Sequence, residues 1–178
     1  MERKGGRGSL RHHGPTPDRV QLQVPRLFSL TLRENLLLGQ PADDDDLERA
    51  IYTTTMEDDL AAMPDGLETV VGPRGVRLSG GQVQRSAAAR MLAREPQLLV
   101  FDDLSRALDV DTEKMLWDRL FARTGDATAL VVSHRKPALQ RADRVIVMLD
   151  GRIDAVGSAE ELLETSQEFR RLWNAGTK

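Results

Sequence analysis

A short apolar run that ends in two acids constrains the fold of this chain more than any other feature. Residues 97–103 read QLLVFDD, and positions 98–101 form a continuous apolar stretch. Such a stretch is typical of a strand that is buried on both faces of a parallel sheet. A second run, ALVVS at 129–133, follows a segment that we expect to be helical over 112–122. Because a strand, a helix and a strand form the parallel unit, the sequence predicts an α/β fold.

The composition agrees with helices that pack on an aliphatic sheet. The chain has 178 residues, of which 40% are apolar and 4% are aromatic, and this size allows one domain with a core. It has no cysteine, which excludes disulfides, thiol catalysis and cysteine-ligated zinc. The formal net charge is −3, and no basic stripe with interleaved aromatics is present, so we expect no nucleic-acid partner. No segment reaches the apolar length of a membrane span.

The first 19 residues differ in character from the rest of the chain. They carry five Lys or Arg and two acids, together with four glycines and two prolines. A segment of this composition has too little apolar surface to fold. We therefore expect an unstructured tail over 1–19 and a folded part over 20–178.

The stretch LSGGQVQRSAAAR at 78–90 places two glycines at the start of a predicted helix. Ser79 is a good N-cap, and we expect the alanine-rich helix to continue to Glu95. The positions expected on its buried face are Val83, Ala87, Met91 and Leu92. The glycines suggest close approach of a group to the main chain where the helix dipole is positive, and phosphate is the natural candidate. The chain nevertheless contains no phosphate-cradling G-x-x-x-x-G-K-[ST] motif.

Other local signals mark where elements begin and end. Gly39 is a stop signal for the preceding leucine-rich helix, and the acids at 43–46 favour the start of the next one. Residues 150–151, Asp-Gly, predict a hairpin turn. Ser158 and Glu161 predict a capping box at the start of a late helix.

Two acids and a histidine follow the two predicted strands of the parallel unit. Asp102 and Asp103 end the first strand, and His134 comes directly after the second. Open α/β sheets bind ligands at the carboxyl ends of their strands. Each residue also has a simpler explanation, since an aspartate there often forms a turn and a single histidine is often structural. The order and the spacing of LSGGQ, the two acids and the histidine favour a site, with twenty residues from Gln82 to Asp102 and thirty-one from Asp103 to His134.

Five segments, taken in order, resemble the nucleotide-binding domain of an ATP-binding cassette transporter of the exporter type. They are VPRLFSLTLRENLLLG at 24–39, LSGGQ at 78–82, LLVFDD at 98–103, SRALD at 105–109 and VVSHR at 131–135. The first resembles the stretch after the family's Q-loop, which places the Q-loop glutamine at Gln23. The others resemble the signature, Walker B, the D-loop and the switch-histidine segment. The resemblance extends from Val20 to about Trp173.

The resemblance implies a head-to-tail dimer in which the signature of one domain closes over ATP held by the other. The signature residues that would bind this cofactor are Leu78, Ser79, Gly80, Gly81 and Gln82. Asp109 would reach across the dimer interface. The implied partners are a second ATPase domain, identical or different, and a transmembrane transporter domain. The chain would meet the membrane only through that partner, at its cytoplasmic face.

The resemblance also implies roles at the ends of the predicted strands. Asp102 and Gln23 would hold Mg²⁺, and Gln23 would also sense the transmembrane domain. Asp103 would polarise the attacking water, and His134 would contact the γ-phosphate.

The family fold implied is a P-loop NTPase-like parallel sheet flanked by helices, with an additional α-helical subdomain. By this resemblance the helical subdomain covers about 31–95, the remainder of the catalytic core 96–157 and the C-terminal helices 158–174. Only 22 residues precede Gln23, which leaves no room for Walker A. The resemblance therefore implies that the N-terminal strands and the P-loop are missing, and we expect no ATP hydrolysis by the chain alone.

A second departure from the family is Asp103, because active members usually carry glutamate at this position. The chain resembles the weakened member of a heterodimeric exporter, which keeps an intact signature. The first hypothesis is therefore a fragment of an exporter ATPase that couples ATP binding and hydrolysis to transport. The alternative is a non-enzymatic half that donates LSGGQ to a complete partner domain. A third hypothesis, an ATPase of chromosome maintenance or translation, is opposed by RLFSLTLREN at 26–35 and by the absence of a coiled-coil insertion.

Overall fold

The computed structural model describes residues 19–21, 25–41, 43–94, 96–123 and 127–176, which form both strands and helices. The strands are β1 (Arg19–Gln21), β2 (Leu98–Asp102), β3 (Thr128–Val132), β4 (Val145–Leu149) and β5 (Arg152–Gly157). The helices are α1 (Leu32–Leu37), α2 (Asp44–Thr53), α3 (Glu57–Ala61), α4 (Gly80–Leu92), α5 (Val110–Arg123), α6 (Lys136–Arg141), α7 (Ala159–Thr165) and α8 (Gln167–Ala175). A 3₁₀ turn covers Gly66–Glu68. β1 begins at Arg19, the last residue of the expected tail, and the proposed division of the chain into subdomains stays a prediction.

Three of the strands form a parallel sheet in the order β1-β2-β3. Leu98 pairs with Thr128 and Asp102 pairs with Val132, so the carboxyl ends of β2 and β3 lie side by side. Helix α5 joins these two strands. The predicted α/β fold with a parallel sheet and flanking helices is therefore confirmed. The predicted hairpin is confirmed as well, because β4 and β5 pair antiparallel.

The prediction that the two strands are buried on both faces is wrong, because Leu98 and Val100 on the second face of β2 are partly exposed. Leu99 and Phe101 of β2 are buried, whereas Leu130 and Val132 of β3 are 53% and 58% exposed. Buried side chains of α5, Trp117 among them, belong to the same core cluster as Leu99 and Phe101. An apolar run alone does not tell whether the second face of a sheet is covered.

Helix α4 ends earlier than expected and is buried over a wider surface. It stops at Leu92, three residues before the predicted end at Glu95, which lies outside the described residues. Val83, expected on the buried face, is partly exposed. The residues of α4 that are buried are Gly81, Gln84, Ser86, Ala87, Ala88, Ala89, Met91 and Leu92. The helix is buried on more than one side because α1, α2 and β1 all contact it. Its small side chains cover little of its own surface.

The local signals at helix ends hold in the structure. Asp43 caps α2 by accepting a hydrogen bond from the Asp46 amide at 2.8 Å. Ser158 and Glu161 form the predicted capping box of α7. α1 ends where Leu38 adopts a left-handed conformation, directly before Gly39. No helix in the described ranges is both long and apolar enough to cross a membrane.

Candidate functional site

The carboxyl ends of β2 and β3 bring together the two acids and the histidine. The backbone N–H of Asp103 donates to the Val132 carbonyl at 3.0 Å, which extends the pairing of the strands by one residue. His134 follows two residues later and is exposed, while Asp102 and Asp103 are partly exposed. Their position at one edge of the sheet agrees with the sequence prediction, and their chemical roles stay predictions.

Asp103 has an unusual conformation and an unpaired oxygen. Its φ is +55°, a region that residues other than glycine seldom adopt and that occurs preferentially at functional sites. Its Oδ1 atom is buried and has no hydrogen-bond partner among the described residues. A buried carboxylate oxygen without a donor is costly. This edge of the sheet therefore offers an acceptor for a proton donor or a cation.

The LSGGQ residues form the start of α4. Ser79 is the N-cap: its Oγ accepts from the Gln82 amide at 3.2 Å, and its own N–H donates to Gln82 Oε1 at 2.8 Å. Ser79 and Gly80 are exposed. No acidic side chain lies in the first turn of α4, in contrast to α2. The positive end of this helix dipole is thus open to solvent and not neutralised by an acid of its own first turn.

Two of the LSGGQ residues are engaged inside the chain. The Nε2 atom of Gln82 donates to Asp59 Oδ1 at 2.8 Å, and Arg85 forms an ion pair with the same carboxylate. Leu78 packs against the main core cluster. Both side chains therefore hold the start of α4 within the chain, whereas Ser79 and Gly80 remain exposed.

Gly81 lies where the start of α4 meets the SRALD segment of the same chain. A Cβ added to Gly81 would stand 3.0 Å from the Ala107 carbonyl oxygen and 3.2 Å from Leu108 Cδ2. The Ala107 N–H donates to Gln84 Oε1 at 3.1 Å. Gln84 carries no sequence signal for this contact, because a glutamine in an alanine-rich helix resembles a solvent-exposed residue. Gly81 thus serves the packing of two segments within one chain.

The two signature glycines should respond differently to alanine. Gly81→Ala is expected to destabilise the protein by about 1–3 kcal/mol, because its Cβ overpacks against Ala107 and Leu108. Gly80→Ala should be neutral or stabilise by up to about 1 kcal/mol, since its Cβ would meet only Ala107 Cβ, at 3.6 Å. Urea denaturation of the two variants measures the difference, and equal stabilities would contradict it.

Asp109 has a local structural role in this chain. Its Oδ1 accepts from the Thr112 N–H at 3.0 Å, in the first turn of α5. This backbone hydrogen bond is the main reason that the pKa of Asp109 is lowered. Asp109 is exposed, so its side chain is accessible to a partner. The predicted contact across a dimer interface stays a prediction.

Gln23 lies outside the described residues, but the segment that follows it is held firmly. The buried Asn35 accepts from the Phe28 N–H at 2.8 Å through Oδ1, and its Nδ2 donates to the Phe28 carbonyl at 3.0 Å. Arg90, near the end of α4, donates through Nε to the Asn35 carbonyl at 2.7 Å. Its guanidinium also donates to the Arg26 carbonyl at 3.4 Å. Sequence reasoning did not single out Asn35 or Arg90.

An exposed apolar surface lies on this segment and on the turn that packs against it. The Val71 N–H donates to the Leu30 carbonyl at 2.9 Å, which joins the two parts. The exposed apolar residues here are Phe28, Leu30, Val70 and Val76; we refer to these four residues as the apolar patch.

Comparison of the sequence with known proteins identifies relatives over most of the chain. No protein-family model matches it. It is 39% identical over 150 residues to the uncharacterized ABC transporter ATP-binding protein YwjA of Bacillus subtilis, which covers 84% of this chain and 26% of that protein. It is 36% identical over 153 residues to the putative multidrug export ATP-binding/permease protein YgaD of the same organism, with coverages of 85% and 26%. The chain thus spans about a quarter of the length of these curated relatives.

A solved structure agrees with the sequence relatives. The structure of a bacterial Atm1-family ABC exporter with ATP bound superposes with a TM-score of 0.81 and 31% sequence identity, over 89% of this chain and 28% of that one. The parallel sheet, the flanking helices and the motif-bearing edge of the chain lie within a fold of this kind. The chain therefore belongs to the ATP-binding cassette transporter family, and its matched residues resemble the nucleotide-binding domain of the family's exporters.

Proposed function

We propose that this chain serves an exporter as a nucleotide-binding component and presents the start of α4 to ATP held by a second domain. The observation that carries the proposal is the open helix N-terminus at Ser79 and Gly80, with no acid in its first turn. The Gly80 amide and the Ser79 hydroxyl are suited to donate to phosphate oxygens there. In a head-to-tail dimer these hydrogen bonds form only when the two domains approach. Nucleotide would thereby stabilise the closed dimer.

The residues at the carboxyl edge of the sheet fit a magnesium nucleotide held by the chain itself. Asp102 would hold Mg²⁺ together with Gln23, and the unpaired Oδ1 of Asp103 would accept a proton from water. His134 would donate to a phosphate oxygen. When bound, Mg²⁺-ATP supplies the phosphoanhydride bond whose cleavage drives transport. Mg²⁺ commonly takes few ligands from the protein and several from phosphate and water.

Asp103 is expected to make any hydrolysis slow. Its carboxylate is one methylene shorter than the glutamate usual in the family, and a misplacement of about 1 Å can cost roughly a hundredfold in rate. This favours the role of the weakened member in an exporter with two different ATPase domains. A non-enzymatic half that donates LSGGQ to a complete domain is the second candidate, favoured by the exposed start of α4 at Ser79 and Gly80, which needs no hydrolysis by this chain to serve a partner's nucleotide.

The apolar patch is the surface on which a transmembrane transporter domain would dock, at the cytoplasmic face of the membrane. Its four side chains are exposed although they are large and apolar, and contiguous patches of this kind mark interaction sites. Phe28 and Leu30 of the patch come shortly after Gln23 in the sequence, and Gln23 is the residue proposed to sense that domain.

A charge placed at the start of α4 tests the proposal. Aspartate caps a helix as well as serine does, so Ser79→Asp should fold normally while its carboxylate repels phosphate. We expect ATP-dependent association with the ATP-binding domain of the YwjA relative to weaken at least tenfold, as measured by analytical ultracentrifugation. Ser158→Asp makes the same change at the cap of α7 and should have no effect. If Ser79→Asp associated as well as the unmodified chain, the proposal would be wrong.

A binding measurement separates the two candidate functions. A fluorescent ATP analogue with Mg²⁺ is titrated into the 178-residue chain, and circular dichroism checks that the chain is folded. Binding that Asp102→Asn weakens supports a nucleotide site of the chain's own. A folded chain that binds no analogue but still associates with the relative's domain supports the signature donor.

A further inference from the structure

A buried carboxylate in α5 connects the loops that follow β2 and β3. Glu113 is 2% exposed and Ser105 is fully buried. The Ser105 hydroxyl donates to Glu113 Oε1 at 2.5 Å, and Arg135 Nη1 donates to Glu113 Oε2 at 2.9 Å. Both oxygens of one carboxylate are therefore engaged, one by each loop.

Arg135 reaches both loops at once. Its Nη2 atom donates to the Arg106 carbonyl at 3.3 Å, and its backbone N–H donates to Ser133 Oγ at 3.1 Å. Arg135 is the residue directly after His134. The hydrogen bonds of Arg135 thus tie the segment next to His134 to the loop that follows β2.

Gly176, directly after α8, packs close to the same segment. A Cβ on Gly176 would stand 2.4 Å from the His134 carbonyl oxygen, so the main chains approach very closely there. Residues 133–135 are consequently fixed from two directions, by the Glu113 carboxylate and by the main chain at Gly176.

A purely stabilising role does not account for Glu113. An acid in the first turn of a helix interacts favourably with the dipole when it is exposed, but Glu113 is buried. Desolvation of a buried ion pair offsets most of its attraction, and such pairs contribute little net stability. The arrangement instead defines the geometry of two loops.

We propose that Glu113 is a positioning residue for His134 and acts through Arg135. The carboxylate holds Arg135 and Ser105 so that the histidine stays beside Asp102 and Asp103 at the carboxyl edge of the sheet. This inference rests on the proposed function, since it assigns His134 to a nucleotide.

Hydrogen exchange of the nucleotide-free 178-residue chain tests the positioning. In Glu113→Gln we expect amides of 105–108 and 133–136 to exchange at least tenfold faster, while β4 and β5 are unchanged. Arg135→Gln removes the same ion pair from its more exposed side and provides a second variant should Glu113→Gln fail to fold. Glu161→Gln, at the cap of α7, is the matched control. Exchange that is unchanged, or that is faster throughout the chain, would overturn the proposal.

A double-mutant cycle on nucleotide binding provides a readout that a structural role would not affect. The fluorescent ATP analogue with Mg²⁺ is titrated into Glu113→Gln, His134→Ala and the double variant. If Glu113 acts through His134, each single variant weakens binding about tenfold and the double variant weakens it no further. Losses that multiply to about a hundredfold would refute that action. If the unmodified chain binds no analogue, the proposed nucleotide site of its own is wrong, and the exchange experiment still decides the positioning.

Discussion

Replacing Trp117 with alanine is expected to lower the free energy of unfolding by about 3–5 kcal/mol, because a large side chain leaves a cavity in the core. Trp117 is fully buried. Its ring meets Phe101 of β2 edge-on at a centroid distance of 6.3 Å and lies 5.8 Å from the ring of Phe121. It is therefore a direct contact between α5 and the strand that ends in the two acids. Urea denaturation followed by circular dichroism measures the loss.

Two further variants show that the effect comes from the cavity. Met115 lies on the same helix and is 44% exposed, so Met115→Ala should change stability by less than about 0.5 kcal/mol. The Nε1 atom of Trp117 is buried without a hydrogen-bond partner among the described residues. Trp117→Phe removes this unpaired donor and should be clearly less harmful than Trp117→Ala. A stability of Trp117→Ala equal to that of Met115→Ala would contradict the packing described for α5.

Gly72→Ala is expected to destabilise the chain by about 3 kcal/mol or more and to disorder the surface around the apolar patch. The φ of Gly72 is +91°, and an added Cβ would stand 2.7 Å from the Phe28 carbonyl oxygen. Alanine thus suffers backbone strain and an overlap with main-chain atoms, each of which costs about 1–3 kcal/mol. Hydrogen exchange across 26–31 and 69–76, together with urea denaturation, measures the result.

Gly39 provides the control that separates these two causes. Its φ is +71°, but nothing lies within 4 Å of an added Cβ. Gly39→Ala should therefore show only the strain, about 1–2 kcal/mol, and should leave the exchange of 69–76 unchanged. If the two variants lost equal stability, the close approach of Gly72 to Phe28 would be without energetic importance.

Features of the chain that depend on local chemistry could be predicted from the sequence. The N-cap of α4, the capping box of α7 and the β4–β5 hairpin each depend on residues a few positions apart. The pairing of β2 with β3 could be predicted too, since two short apolar runs joined through one helix have few ways to pack. The edge that carries Asp102 and Asp103 follows directly from that pairing.

Features that depend on distant contacts could not be predicted. Leu130 and Val132 are exposed, and their exposure depends on what packs on the second face of the sheet. The apolar character of the two residues does not predict that packing. Glu113 has the pattern of an ordinary exposed helix acid, and only the positions of Ser105 and Arg135 explain its burial. Gln82 has the pattern of a ligand residue, although Asp59 and the helix cap occupy its side chain.

The length of helix α4 and the contacts at its two ends affect how movement is transmitted through the chain. It is 13 residues long, which corresponds to about 20 Å. Ser79 and Gly80 stand at one end, and Arg90 fastens the other end to the main chain at Arg26 and Asn35. We therefore expect a tilt imposed on residues 26–35 to displace Ser79 and Gly80 by a distance that grows with the length of the helix. Helix α4 would thus couple a force on residues 26–35 to the proposed contact of Ser79 and Gly80 with phosphate.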